Sequence, residues 1–89
     1  MKYEFKLTID EITVSCYFNS KSDLTLAMLP LTRMLTMLSN EATPDTITKI
    51  MESKCGYKVI KTEPGFPHGT IIQFEVCEGT IAYLHLDDC

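Results

Sequence analysis

The sequence predicts an α+β fold of two layers, an antiparallel sheet of four to five strands with two helices on one face. Apolar and polar residues alternate over the first 18 residues, two helical stripes follow, and β-rich segments separated by turn residues close the chain. A period of two indicates a half-buried strand, and a period near 3.6 indicates a helix with one buried face. The predicted order of elements is β-β-α-α-β-β-β in a single domain, residues 1–89.

The N-terminal segment is predicted to form a hairpin with Asp10 and Glu11 in its loop. In this register each apolar side chain lies opposite another apolar side chain, all on one face of the hairpin. The predicted pairs are Tyr3 with Phe18, Phe5 with Cys16, Leu7 with Val14 and Ile9 with Ile12. Mostly polar residues occupy the intervening positions, so one face of the hairpin needs a cover from the rest of the chain.

The first helix is predicted from apolar residues that recur at intervals of three and four between Leu24 and Leu38. A polar loop precedes this segment. Ser22 or Asp23 is the expected N-cap, because short polar side chains accept hydrogen bonds from the amides of the first turn.

Pro30 interrupts this helical pattern. A proline in a helix interior lacks an N–H and crowds the preceding turn, at a cost of about 3 kcal/mol. Either a short turn over 24–28 precedes a helix that begins at Pro30 and ends near Asn40, or one helix is kinked at the proline. We favour the first interpretation because proline is common at the first helical position.

A second helix is predicted to begin at Thr43 and Pro44, an N-cap residue followed by a proline suited to the first helical position. The helix is about 11 residues long by this pattern. Gly56 is expected to end it in a left-handed conformation. Its apolar stripe consists of Ile47, Ile50, Met51 and Cys55.

Three further strands are predicted at 57–63, 70–76 and 80–86, with a loop over Pro64–Gly69. The last two strands form a hairpin that has two possible registers. A two-residue loop at Glu78 and Gly79 would bury His85. A three-residue loop with a bulge and a left-handed Gly79 pairs Val76 with Thr80 and turns His85 outward. Burial of an unpaired polar group costs about 1–3 kcal/mol, so we predict the bulged register.

The bulged register turns a mixed aromatic, aliphatic and polar surface away from the helices. We interpret this surface as the candidate partner-binding site, because exposed tyrosines on a sheet are frequent at protein interfaces. Its predicted residues are Ile71, Gln73, Glu75, Ile81, Tyr83 and His85. Phe66 and His68 in the preceding loop are further candidates. Phe66 either anchors the loop to the core or inserts into a partner.

Composition and charge narrow the classes of function. With 45% hydrophobic and 22% charged residues, the 89-residue chain is typical of one globular domain. A net charge of −4 disfavours binding to duplex nucleic acid. No apolar stretch is long enough to span a membrane, and Lys2, Glu4 and Lys6 interrupt any secretory signal, so we expect a cytoplasmic protein with reduced cysteines.

The sequence carries no recognisable catalytic or metal-binding pattern. Its cysteines lack a C-x-x-C spacing, and His68 and His85 show no ligand spacing with them. Each of the four glycines is explained by a cap or a turn rather than by a phosphate-binding loop. We therefore expect no catalytic residues, no metal and no cofactor.

These observations predict a small non-catalytic binding protein that acts by stoichiometric contact with a protein partner, as an inhibitor or an adaptor. Phages and other mobile elements encode many proteins of this size and charge, some of which antagonise host defence proteins. A homodimer through an uncovered strand edge is also compatible with the pattern. The alternative is a small-molecule or nucleotide-binding domain with weak hydrolase activity, whose site lies between helices and sheet or across a dimer.

Overall fold

The computed structural model of the protein describes residues 3–39, 43–66 and 68–87. Within these ranges five strands form one antiparallel sheet in the order β1-β2-β5-β4-β3. The elements are β1 (Tyr3–Ile9), β2 (Ile12–Phe18), α1 (Lys21–Leu38), α2 (Pro44–Ser53), β3 (Lys58–Pro64), β4 (Thr70–Cys77) and β5 (Thr80–Leu86). The predicted α+β class and the order β-β-α-α-β-β-β are confirmed.

The hairpin of β1 and β2 has the predicted register, and all four predicted apolar pairs lie directly opposite one another. Asp10 takes a left-handed conformation with φ of 54°, which a short aspartate side chain tolerates in a tight turn. On the polar face, the hydroxyl oxygens of Thr8 and Thr13 are 2.8 Å apart and form a cross-strand hydrogen bond.

Helix α1 is continuous through Pro30, so the predicted division at this residue is wrong and the single-helix alternative describes the chain. The physical reason is the buried stripe of α1, which runs on both sides of the proline and includes Ala27 and Leu31. Burial of this stripe offsets the missing hydrogen bond. Pro30 itself lies on the exposed flank of the helix.

The start of α1 differs from the prediction. Ser20 is the N-cap rather than Ser22 or Asp23, and its Oγ accepts a hydrogen bond of 3.1 Å from the backbone N–H of Asp23. The helix ends at Leu38. The predicted end near Asn40 lies outside the described residues.

The start of α2 agrees with the prediction. Thr43 is the N-cap, its Oγ1 accepts from the N–H of Thr46 at 3.2 Å, and Pro44 is the first helical residue. The helix has 10 residues. Gly56 follows in a left-handed conformation with φ of 73°, which turns the chain from α2 into β3.

The β4–β5 hairpin places Leu84 opposite Ile72 and Ala82 opposite Phe74, as the bulged register predicts. The predicted three-residue loop is wrong, because the loop consists of Glu78 and Gly79 alone and the bulge lies within β4 instead. Cys77, rather than Val76, pairs with Thr80, and the register shifts between Glu75 and Cys77. Val76 is the extra residue of the bulge and has no partner on β5. Because of it, Phe74 and Ile72 lie opposite the inward-facing Ala82 and Leu84. Gly79 has the predicted left-handed conformation, with φ of 81°.

Strand β3 forms one edge of the sheet and is irregular. It begins at Lys58 rather than at 57, its register against β4 shifts between Val59 and Lys61, and it ends on Pro64. The shift leaves Ile60 exposed at this edge. Tyr57, just before the strand, is buried with its ring centroid 5.3 Å from that of Phe74.

The two helices cover the same face of the sheet, with α1 over β1 and β2 and α2 mainly over β3. The core lies between these layers and contains no buried polar side chain among the described residues. Its largest fully buried side chains include Phe18, Phe74, Leu31, Leu35, Ile47 and Ile72. In the part of the chain that the structure describes, neither helix has the length and hydropathy needed to cross a membrane.

Candidate functional site

Among the described residues, neither helix lies on the face of the sheet opposite the core, and we call this the open face. The six predicted strand residues lie on this face in three directly opposed pairs of β4 and β5. The pairs are Ile71 with His85, Gln73 with Tyr83 and Glu75 with Ile81. Tyr83 is 40% exposed and the other five are half-buried. The structure therefore brings the predicted strand residues together.

The strand order adds residues that the sequence analysis did not assign to this site. Ser15 of β2 lies opposite Tyr83, and Thr13 lies opposite His85. On the other side, Lys61 of β3 lies opposite Gln73. These neighbours depend on which strands pair at long range, and the local alternation of each strand carries no signal for that.

His85 connects the open face to the loop between β3 and β4. Its Nε2 lies 2.9 Å from the carbonyl oxygen of His68. A carbonyl only accepts hydrogen bonds, so this nitrogen carries the proton and donates it. Within the loop, the N–H of Gly65 donates to the carbonyl of Gly69 at 2.9 Å. The first bond holds the loop against the end of β5, and the second closes the loop on itself.

Two glycines allow the loop backbone to approach this closely. A Cβ on Gly65 would lie 2.8 Å from the Nε2 of His85 and 2.7 Å from the carbonyl oxygen of His68. A Cβ on Gly69 would lie 2.2 Å from the carbonyl oxygen of Leu86, and Gly69 also has a left-handed φ of 90°. Glycine is required at both positions because the backbone packs directly on β5.

A second contact joins the loop to the end of β5. The Nδ1 of His68 lies 2.9 Å from the Oδ1 of Asp87. Both side chains are partly exposed, so solvent screens this interaction and its contribution to stability is small. Its effect is mainly geometric, because it limits the positions that the loop can take.

Phe66 extends from this loop into solvent with 91% of its surface exposed. The interpretation in which Phe66 anchors the loop to the core is therefore wrong. The loop is held by backbone contacts, by His85 and by His68. The aromatic ring of Phe66 contributes almost no burial to the fold and is available for a contact outside it.

A further aromatic residue lies on the open face at its β2 side. Tyr17 is exposed and lies opposite Glu4 of β1. A hydrogen bond from the phenol to the Glu4 carboxylate, reinforced by the negative charge of that group, raises the pKa of Tyr17 above its ordinary value. In the sequence, Tyr17 stands between the inward-facing Cys16 and Phe18, and this alternation indicates that Tyr17 faces outward.

A groove lies on the helical side of the molecule, between α1 and the segment that connects α2 to β3. Its larger part has a volume of about 320 Å³ and continues into a smaller part of about 230 Å³ past Pro30, Cys55 and Tyr57. The larger part is mainly apolar, with Leu26 on one side and Val76 on the other. The groove lies where the sequence analysis expects a small-molecule site under its alternative interpretation.

The chemistry of the thiols does not indicate an activated nucleophile. Desolvation by burial raises the pKa of Cys55, and burial raises that of Cys16 to about 11, so both favour the neutral thiol. Across the described ranges, no three His, Cys, Asp or Glu side chains are grouped so that they could hold a metal ion.

No protein-family model, no curated protein and no solved structure matches this chain. Similarity therefore assigns it to no class of protein. The features of the molecule that bear on function are the open face, the loop that carries Phe66, and the groove beside α1.

Proposed function

We propose that the chain is a small, non-catalytic, cytoplasmic protein that binds a protein partner stoichiometrically through the open face and the adjoining loop. The observation that carries this proposal is the exposure of Phe66, 91% of whose surface is in solvent on a loop held against β5. An aromatic side chain at such a position gains burial only when a partner covers it.

The way the loop is held supports an interface rather than an incidental exposure. The hydrogen bonds at His85 and Gly65 restrict the loop before any partner arrives. A restricted loop loses less conformational entropy on binding, and affinity rises accordingly. Tyr83 projects from the sheet that supports the loop, and tyrosine is enriched among the residues that dominate binding energy.

The charges on the open face favour a protein over a nucleic acid as the partner. Lys61 and Glu63 form an ion pair of 3.6 Å on β3, and Glu75 lies opposite Ile81. Mixed signs of this kind lack the basic stripe that duplex binding requires. An inhibitor or adaptor role fits a domain of this size, including the role of a phage or mobile-element antagonist of a host defence protein.

The test is capture of a partner from the native host with tagged wild-type protein and with variants Phe66→Ala and Tyr83→Ala. Each variant is expected to weaken binding about tenfold or more, because hot-spot aromatics contribute at this level. Leu29→Ala is the matched control, since it removes an exposed apolar side chain from the helical side. If both the Phe66→Ala and the Tyr83→Ala variants bind as strongly as wild type, the proposal is contradicted.

A small-molecule or nucleotide-binding role is the second candidate, and the groove beside α1 favours it. Its larger part, about 320 Å³, falls in the range of small-ligand pockets. The test is thermal stabilisation by a panel of metabolites and nucleotides, combined with protection of Cys55 from alkylation, which reports on this groove alone. A nucleotide that protects Cys55 and is slowly hydrolysed would support this role, whereas unprotected Cys55 would exclude it.

A further inference from the structure

Strand β1 forms the second edge of the sheet, and its apolar side chains are only partly covered. Tyr3 is 38% exposed, and Phe5, Leu7 and Ile9 are half-buried although they point to the helical side. Their direct partners on β2 are almost completely buried. The core therefore continues to the β1 edge, where the elements of the described ranges cover it only in part.

The backbone of β1 is regular and presents hydrogen-bonding groups outward. A two-residue loop closes a hairpin on a hydrogen-bonded pair, which is Ile9 with Ile12 here. Hydrogen-bonded and non-hydrogen-bonded pairs then alternate, so the N–H and C=O groups of Glu4, Lys6 and Thr8 point away from β2. The contact of 2.8 Å between the hydroxyl oxygens of Thr8 and Thr13 agrees with this assignment of Thr8 and Thr13 as a non-hydrogen-bonded pair, because side chains approach more closely in such pairs.

The charges at this edge are self-complementary. When two β1 strands pair antiparallel about a two-fold axis at Phe5, Glu4 of each copy lies opposite Lys6 of the other. Glu4 and Lys6 are the residues whose backbone groups point outward, so this register also forms the new hydrogen bonds. We propose that a second copy of this chain occupies the β1 edge in this register.

The side chains on both faces fit this arrangement. On the helical side, Phe5 of one copy packs against Phe5 of the other, and the half-buried Leu7 becomes more buried. On the open face, the side chains of Glu4 and Lys6 are both exposed, so each is free to reach its counterpart on the second copy. An edge lysine usually discourages strand pairing, but Glu4 supplies a partner for it in this register alone.

The flank of α1 above the β1 edge is also suited to a second copy. Helical periodicity places this flank on one side of the buried stripe of α1 and the groove on the other side. The flank carries Met28, which is 42% exposed. Thr25 and Thr32 flank Met28, and their hydroxyls already donate to the carbonyls of Lys21 and Met28 at 2.9 and 2.7 Å. Two such flanks can pack together without leaving these hydroxyls unsatisfied.

The test is the dimer dissociation constant of the whole chain, measured by analytical ultracentrifugation over a concentration series. Wild-type protein is expected to dimerise. Glu4→Lys alone and Lys6→Glu alone are each expected to raise the dissociation constant about tenfold or more, because each places like charges opposite one another twice. Combining both substitutions in one chain is expected to restore dimerisation.

An equimolar mixture of the two single variants provides an independent check. It is expected to form a heterodimer, since both lysines of the Glu4→Lys chain would face glutamates of the Lys6→Glu chain in this register. Lys61→Glu on β3 is the control and is expected to leave the dissociation constant unchanged. Monomeric wild-type protein, or single variants that dimerise like wild type, would overturn the proposal. The partner surface around Phe66 is separate, so this failure would leave the proposed function standing.

Discussion

The Nε2 of His85 lies 2.9 Å from the carbonyl oxygen of His68, and this bond joins the open face of the sheet to the loop that presents Phe66. The two candidate regions are therefore parts of one surface. The imidazole has a supporting role here, because it lies beneath the loop, whereas Tyr83 faces solvent.

His85→Ala and Tyr83→Ala are expected to affect stability differently. Loss of the imidazole removes the bond to His68 and the support beneath Gly65, which lowers the free energy of unfolding by about 1 kcal/mol. Tyr83→Ala is expected to change it by less than about 0.5 kcal/mol, as for most surface substitutions. Urea denaturation measures both values. Faster hydrogen exchange at the Gly65 amide in His85→Ala alone would identify the loop as the affected region, and equal effects would contradict this role.

Gly69→Ala is expected to destabilise the fold far more than Gly79→Ala. Both glycines have a left-handed φ, but a Cβ on Gly69 lies 2.2 Å from the Leu86 carbonyl, and a Cβ on Gly79 has no atom within 4 Å. The conformational cost at Gly79 is about 1–2 kcal/mol. Gly69→Ala adds a clash with backbone, and we expect a loss of about 3 kcal/mol or more. Similar melting temperatures for the two variants would show that the loop does not pack on β5.

Pro30→Ala is expected to stabilise the protein. Alanine supplies an N–H that can donate to the carbonyl of Leu26 and removes the crowding of the preceding turn. The gain in free energy of unfolding is expected to be about 2 kcal/mol, since proline costs about 3 kcal/mol in a helix interior but also restricts the unfolded chain. Leu29→Ala is the control, with a change below about 0.5 kcal/mol. A loss of stability in Pro30→Ala would mean that α1 is not continuous through this residue.

The buried thiol of Cys16 is expected to make stability fall at alkaline pH. Desolvation, followed by the neighbouring Cys77, raises the pKa of Cys16 from 9.0 to about 11. The folded protein then holds this proton more tightly than the unfolded chain, so stability is complete below pH 9 and is lost as the pH rises toward about 11. Urea midpoints between neutral pH and pH 11 for wild type and Cys16→Ala isolate this effect, because other groups titrate equally in both. Parallel curves would exclude it.

The local sequence pattern correctly predicted features that depend on elements adjacent in the chain. The β1–β2 register followed from apolar pairing around Asp10, and the inward face of β5 followed from the cost of burying His85. The interruption at Pro30 was wrong because the prediction weighed the local cost of proline without the packing of α1 on the sheet. That packing depends on strands that are distant in sequence.

In the candidate site, too, the sequence predicted the features that depend on local pattern and missed those that depend on long-range contacts. The six strand residues share a face because alternation and register determine it. The contact between His85 and the loop could not be predicted, since it joins residues 17 positions apart through a backbone carbonyl. The exposure of Phe66 depends on the conformation of the same loop, and for this reason the sequence left both interpretations of Phe66 open.

The two borders of the sheet differ in a way that limits assembly. Strand β1 is uninterrupted from Tyr3 to Ile9, whereas β3 carries a register shift beside Ile60 and ends on Pro64, which has no N–H to donate. A chain that can add strands at one border only cannot propagate into a fibre. Under the proposed β1 pairing, one added copy would occupy that border, and the sheet would not extend further into a polymer at high concentration.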